Sequence, residues 1–87
     1  MIRVVLPAAL LRLFPGCEAE LELAAGSVDE LLRALDARHP GMRDRLCDGS
    51  PAIRRNIHIL ADGGRATLAT RLAPGSEVVI LTAMSGG

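Results

Sequence analysis

The sequence predicts an α+β domain: a mixed sheet of four to five strands with one main helix packed on one face. Three observations carry the prediction. Residues 18–24, EAELELA, set Ala19, Leu21 and Leu23 against Glu18, Glu20 and Glu22, the period-two alternation of a strand with one face in water. Residues 26–41, GSVDELLRALDARHPG, place Val28, Leu31, Leu32 and Leu35 at i, i+3, i+4, i+7, the apolar stripe of a helix. Residues 77–83, EVVILTA, are apolar or nearly so on both faces, as in a strand that lies inside a sheet.

Taken in order, MIRVVLP opens the chain as a strand, with Ile2, Val4 and Leu6 on one face, β-branched residues at its centre and Pro7 at its end. The segment that follows, with Pro15-Gly16, supplies a turn into the second strand at residues 18–24. The helix then begins at Ser27, which stands in capping-box spacing with Glu30. Asp29 and Glu30 sit at its positive end and Arg38 and His39 at its negative end, and Pro40-Gly41 stops it. MRDRL is long enough for one extra turn of helix, and CDGSP is a loop. In RRNIHILADGG, Ile57 and Ile59 face one way and Asn56, His58 and Leu60 the other, a third strand closed by Asp62-Gly63-Gly64. TLATRL is expected as a short, weak strand, APGSE as a turn, and EVVILTA as the last strand.

The first and last strands, apolar on both sides, are expected to pair in the middle of the sheet. One helix cannot cover both faces, so the face away from it is expected to be partly apolar and open to a partner. Residues 1–83 then form the domain and residues 84–87, Met84-Ser85-Gly86-Gly87, a flexible tail.

At 87 residues the chain is one small domain. A domain of this size buries only roughly 60–65% of its unfolded surface. Ten Arg plus Lys balance ten Asp plus Glu, and every base is Arg. Zero net charge removes the electrostatic footprint of a nucleic-acid binder, and Phe14, the sole aromatic, leaves no stacking platform. No apolar run approaches the ~20 residues of a membrane span. The strand-like start lacks the pattern of a signal peptide, so the chain is expected to be cytoplasmic. Cys17 and Cys47 are expected as free thiols, and no Cys or His pair has the close spacing that zinc sites favour, so no metal is expected. No Ser-His-Asp set or paired carboxylates are visible, and Asp62-Gly63-Gly64 reads as a hairpin turn rather than a phosphate-cradling loop.

Two strands, a helix, further strands and a Gly-Gly end together resemble the ubiquitin-like β-grasp fold of the MoaD/ThiS family of sulfur carriers. The resemblance covers the whole chain. It is carried by IRVVLPAALLRL, GSVDELLRALDARHPG, RRNIHILADG and LAPGSEVVILTAMSGG. Arg54-Arg55-x-Ile57 and the chain length are similar to molybdopterin-synthase small subunits and cysteine-biosynthesis (CysO-like) carriers. Two departures stand out. Gly75-Ser76-Glu77-Val78 replaces the family's common Gly-Asp-Glu-Val, and Leu81-Thr82-Ala83-Met84 lacks the aromatics that molybdopterin subunits carry before the tail. The second turns the likeness towards the CysO-like carriers.

The resemblance implies a protein cosubstrate rather than an enzyme, with no bound cofactor. A ThiF/MoeB-like adenylating enzyme would use ATP to convert the Gly87 carboxylate to an acyl-adenylate. A sulfur donor would leave a thiocarboxylate there, and a sulfur-accepting biosynthetic enzyme would consume it. Gly86 would let the tail thread a channel that a Cβ obstructs. Met84, Ser85, Arg54, Arg55 and Arg71 are candidate partner contacts. A modifier joined through Gly87 to amines on other proteins uses the same activation, although without Lys it cannot build Lys-linked polymers. A plain interaction module, with no tail chemistry, is the third reading.

Overall fold

The computed structural model describes residues 1–50 and 52–83. Five strands, β1 (Ile2–Val5), β2 (Glu20–Leu23), β3 (Ile57–Ala61), β4 (Gly64–Arg65) and β5 (Glu77–Thr82), form one sheet in the order β2-β1-β5-β3-β4. β1 pairs with β5 in parallel, Val4 beside Val78, and every other pairing is antiparallel. The sheet is therefore mixed. As their composition requires, the first and last strands are neighbours in its interior.

Helix α2 (Val28–Arg38) crosses one face, where Val28, Leu31, Leu32 and Leu35 are fully buried against Ile2, Val4, Leu23, Ile59, Val78 and Ile80. Burying each such side chain contributes about 1.5–3 kcal/mol before chain entropy is counted. The Ser27 side chain accepts the Glu30 N–H at 3.2 Å, while the Glu30 carboxylate accepts the Gly26 N–H at 3.0 Å. The box closes one residue further back than its usual form.

Two departures from the sequence reading concern the connections. The stretch after Pro7 is not merely a turn: Ala8–Leu13 form helix α1, which buries Leu10 in the core before the chain turns at Pro15-Gly16. Ala, Leu and Arg are all strong helix formers, and Pro7 stands at the N-cap, where the missing N–H costs nothing. TLATRL is not a strand. The fourth strand is Gly64–Arg65, straight after the Asp62-Gly63 turn, and the only pairing in residues 67–72 is the isolated bridge of Arg71 to Ser27. Backbone bonds from Val28 and Asp29 N–H to the Thr70 and Leu68 carbonyls bind this segment to the start of α2 instead.

MRDRL forms the expected extra turn, α3 (Met42–Leu46), burying Met42 and Leu46. Gly41 enters it at φ 99°, a left-handed conformation that strains any residue with a Cβ. The Asp36 carboxylate accepts N–H bonds from Gly41 and Arg43, tying α2 to α3.

Candidate functional site

The candidate site lies where β5 finishes, at Thr82. Thr82 lies opposite Ile57, and the Ala83 N–H donates to the Asn56 carbonyl at 2.7 Å, so the ladder holds the chain to its last described residue. The tail positions Met84, Ser85, Gly86 and Gly87 lie outside the described residues, as does Pro51.

Around this exit an open groove of about 750 Å³ is bounded by Ala9 and Leu13 of α1, Asp44 and Arg45 of α3, and Arg54 and Asn56. Leu13 is half exposed, so α1 presents an apolar side chain in the groove that Thr82, at the end of β5, also lines. Arg54 is fixed here from both ends: its N–H donates to the Leu46 carbonyl and its Nε to the Asp44 carbonyl, each at 2.8 Å. Arg55 follows it, exposed, just before β3. Arg71 lies elsewhere. Its bridge to Ser27 places it at the start of α2, by the end of the sheet where β5 begins. Five residue steps of β5 separate the two ends, roughly 17 Å.

The outer face of the sheet carries Val5, Leu60 and Val79, half-buried, beside His58 and an exposed Leu81, with Leu60 opposite Val79 and His58 opposite Leu81. This is the open apolar face expected from strands that are apolar on both sides. Its border is charged: Arg3 pairs with Glu20 and, at 3.5 Å, with Glu77. Exposed pairs of this kind add little stability, about 0–1 kcal/mol.

The titrating groups serve the scaffold. Cys17 is half-buried and Cys47 buried, both free, and burial pushes both thiols above their ordinary range, against the thiolate that a nucleophile needs. Hydrogen bonds from Arg43 and then Arg33 hold the Asp29 carboxyl low, and the same Asp29 contact raises the Arg43 guanidinium. Arg43 reaches Asp29 through Nη2 at 2.7 Å, while its buried Nε has no partner among the described residues. Asp48 is held low by the Ser50 hydroxyl and by backbone N–H groups of its own loop. Among the described residues, no cluster of three or more His, Cys, Asp or Glu side chains is placed to hold a metal ion, and no helix is long and apolar enough to cross a membrane.

Sequence reasoning missed α1 and its Leu13 at the exit, although Pro7 followed by AALLRL is a helix-start signal. It also missed Asp44 and Arg45, whose place in the groove depends on how α3 packs and has no local signature.

Comparison with known proteins bears on the whole chain. The sequence profile of the ThiS family matches residues 4–87. Among solved structures, a chain of the Amycolatopsis orientalis BexX/CysO complex is 25% identical, covers 100% of both chains and superposes with a TM-score of 0.87. Mycobacterium tuberculosis CysO is 26% identical over 97% of this chain and 100% of its own, with a TM-score of 0.84. The small archaeal modifier protein SAMP1 of Methanosarcina acetivorans is 27% identical over 99% of this chain and 95% of its own, with a TM-score of 0.79. These share the ubiquitin-like β-grasp arrangement found here. A sequence comparison with curated proteins finds no match.

Proposed function

Because the chain belongs to the ThiS family, we propose that it is a sulfur carrier, a protein cosubstrate whose Gly87 carboxylate is activated and then carries sulfur. One observation carries the reading: the family match runs through residue 87, so Gly86 and Gly87 fall inside the matched region. The scaffold supports it by what it offers. β5 is held in the sheet as far as Ala83, an apolar face lies beside it, and the buried thiols and paired carboxylates are spent on structure.

In the proposed chemistry a carboxylate oxygen of Gly87 attacks the α-phosphorus of ATP on a ThiF/MoeB-like enzyme, and pyrophosphate leaves. Hydrosulfide from the sulfur donor then attacks the acyl carbon. The C–O bond to AMP breaks, the S–H proton passes to solvent, and a thiocarboxylate remains for the accepting enzyme. The carrier supplies no base and no nucleophilic side chain, so its part is presentation, which glycines serve because they add no Cβ at the reacting carbonyl. Arg54 and Arg55 adjoin the exit and belong at the rim of that contact, with Met84 and Ser85 leading into the partner. A partner that also touched Arg71 would have to span the sheet.

The test is to incubate the protein with its host's activating enzyme, ATP and sulfide, and weigh it intact. The wild type gains the mass of oxygen replaced by sulfur. Gly86→Ala gains it slowly or not at all, and the chain lacking Gly86 and Gly87 never gains it. A gain by the truncated chain overturns the reading.

The likeness to the small archaeal modifier protein SAMP1 favours one second reading, conjugation through Gly87 to amines of other proteins. In the same experiment, performed in host extract, it would appear as covalent adducts of higher mass that hydroxide does not cleave.

A further inference from the structure

A second groove, of about 530 Å³, runs along the other side of β3, between the segment that leads into that strand and residues 65–69. Its walls include Ile53 and Leu68, both half-buried and packed on the core, with buried Ala66 beneath. Three exposed arginines line it, Arg54, Arg55 and Arg65, and among the described residues no carboxylate does. In a chain whose ten bases and ten acids cancel, this is a local excess of positive charge laid over an apolar floor.

The charges are also spaced. Arg54 and Arg55 precede β3, which starts at Ile57, whereas Arg65 stands opposite Leu60. The positive groups therefore bracket the groove at its two ends, roughly 10–17 Å apart, the span of about three to five residues of extended chain. A nucleic acid would need phosphate contacts continued beyond the groove and bases stacked on aromatic rings, and the sole aromatic, Phe14, packs beside His39 instead. Acidic side chains on either side of an apolar anchor match what is there.

We propose that this groove receives an extended acidic segment of a partner protein, seating one apolar side chain against Ile53 and Leu68 while flanking carboxylates meet Arg54 and Arg55 at one end and Arg65 at the other. Arg54 also lines the groove at the end of β5, so the bound segment lies next to that groove. The site needs neither ATP nor residues 84–87, which separates it from the carrier chemistry proposed above.

The test uses a fluorescein-labelled peptide, Asp-Glu-Leu-Val-Asp-Glu with blocked ends, titrated with the full chain and read by anisotropy and by amide chemical shifts. The wild type is expected to bind it saturably, with shifts concentrated at Ile53–Arg55 and Arg65–Leu68, and less tightly as salt is raised. Replacing all three arginines by glutamine should weaken binding roughly tenfold. Arg55→Gln with Arg65→Gln leaves the Arg54–Asp44 contact intact and should show most of that loss at an unchanged melting temperature. Removal of Gly86 and Gly87 should change nothing, whatever becomes of the thiocarboxylate. Equal binding of a peptide with lysine in place of each acid, no saturable binding, shifts confined to the outer sheet face, or tighter binding of oligothymidylate than of the peptide would each overturn the proposal.

Discussion

Asp62 and Glu77 are joined by two hydrogen bonds: the Asp62 N–H donates to the Glu77 carbonyl at 2.8 Å, and the Asp62 carboxylate accepts the Glu77 N–H at 2.9 Å. Asp62 holds φ at 50°, the one left-handed residue other than glycine among those described. The turn between β3 and β4 is thereby fastened to the first residue of β5, which fixes the register of the strand that ends at the tail.

The first prediction tests this clasp. Asp62→Ala loses the acceptor and keeps a Cβ in a left-handed conformation, so its melting temperature should fall by several degrees, and by more than that of Asp62→Asn. Asn keeps an oxygen acceptor and tolerates this backbone. The Asp62 carboxyl is held below its ordinary value of 3.8, first by the Glu77 N–H and then by the Ser76 hydroxyl. Its folded value lies below its unfolded one, so its stabilisation is complete above the unfolded value and is lost as pH falls through the folded value. Melting temperatures measured from pH 7 down to below pH 4 should decline less steeply for Asp62→Asn than for the wild type. Parallel declines would remove Asp62 from the acid transition.

The second concerns the core. Leu32 is fully buried under the sheet. Leu32→Ala should cost about 2–5 kcal/mol and Leu32→Asp should prevent folding at ordinary temperature. Denaturant titration checks both, and a Leu32→Asp variant with wild-type stability would contradict the packing of α2.

The thiols should prove separable in stability but equal in chemistry. Cys17→Ser, at a half-buried site, should change stability by less than about 0.5 kcal/mol. Cys47→Ser, which sets a hydroxyl among buried apolar groups, should cost about 1–3 kcal/mol, and Cys47→Ala less. The folded double serine variant should still gain sulfur by intact mass. Failure there would give one of the thiols a part in the sulfur transfer.

The outer face gives the last prediction. Leu81 is exposed at 43% and neighbours Val79 and His58 on the sheet. Leu81→Glu should leave the melting temperature within a few degrees while lowering affinity for the activating enzyme by tenfold or more, as expected for an apolar contact at a binding centre. Unchanged affinity in a pull-down titration would move the docking surface elsewhere.

What the sequence by itself determined is what short-range chemistry decides. Ser27, Glu30 and the stripe Val28-Leu31-Leu32-Leu35 specify α2 within about three turns of chain, and the Glu-Leu alternation of β2 specifies a strand with one wet face. The apolar character of both faces of β1 and β5 pointed to neighbouring places inside the sheet, and so they lie, with one face under α2 and the other left open at Val5, Val79 and Leu81. Tertiary structure decided the rest. A helix of six residues such as α1 is unstable alone and forms here with Leu10 buried in the core that the rest of the chain builds. TLATRL has the composition of a weak strand, yet its backbone bonds go to the start of α2, a competition that no local pattern records. Arg54 and Arg71 look alike in the sequence; one lines the groove at the end of β5 with Thr82 and the other lies by the end where β5 begins, because the sheet carries the chain about 17 Å between them.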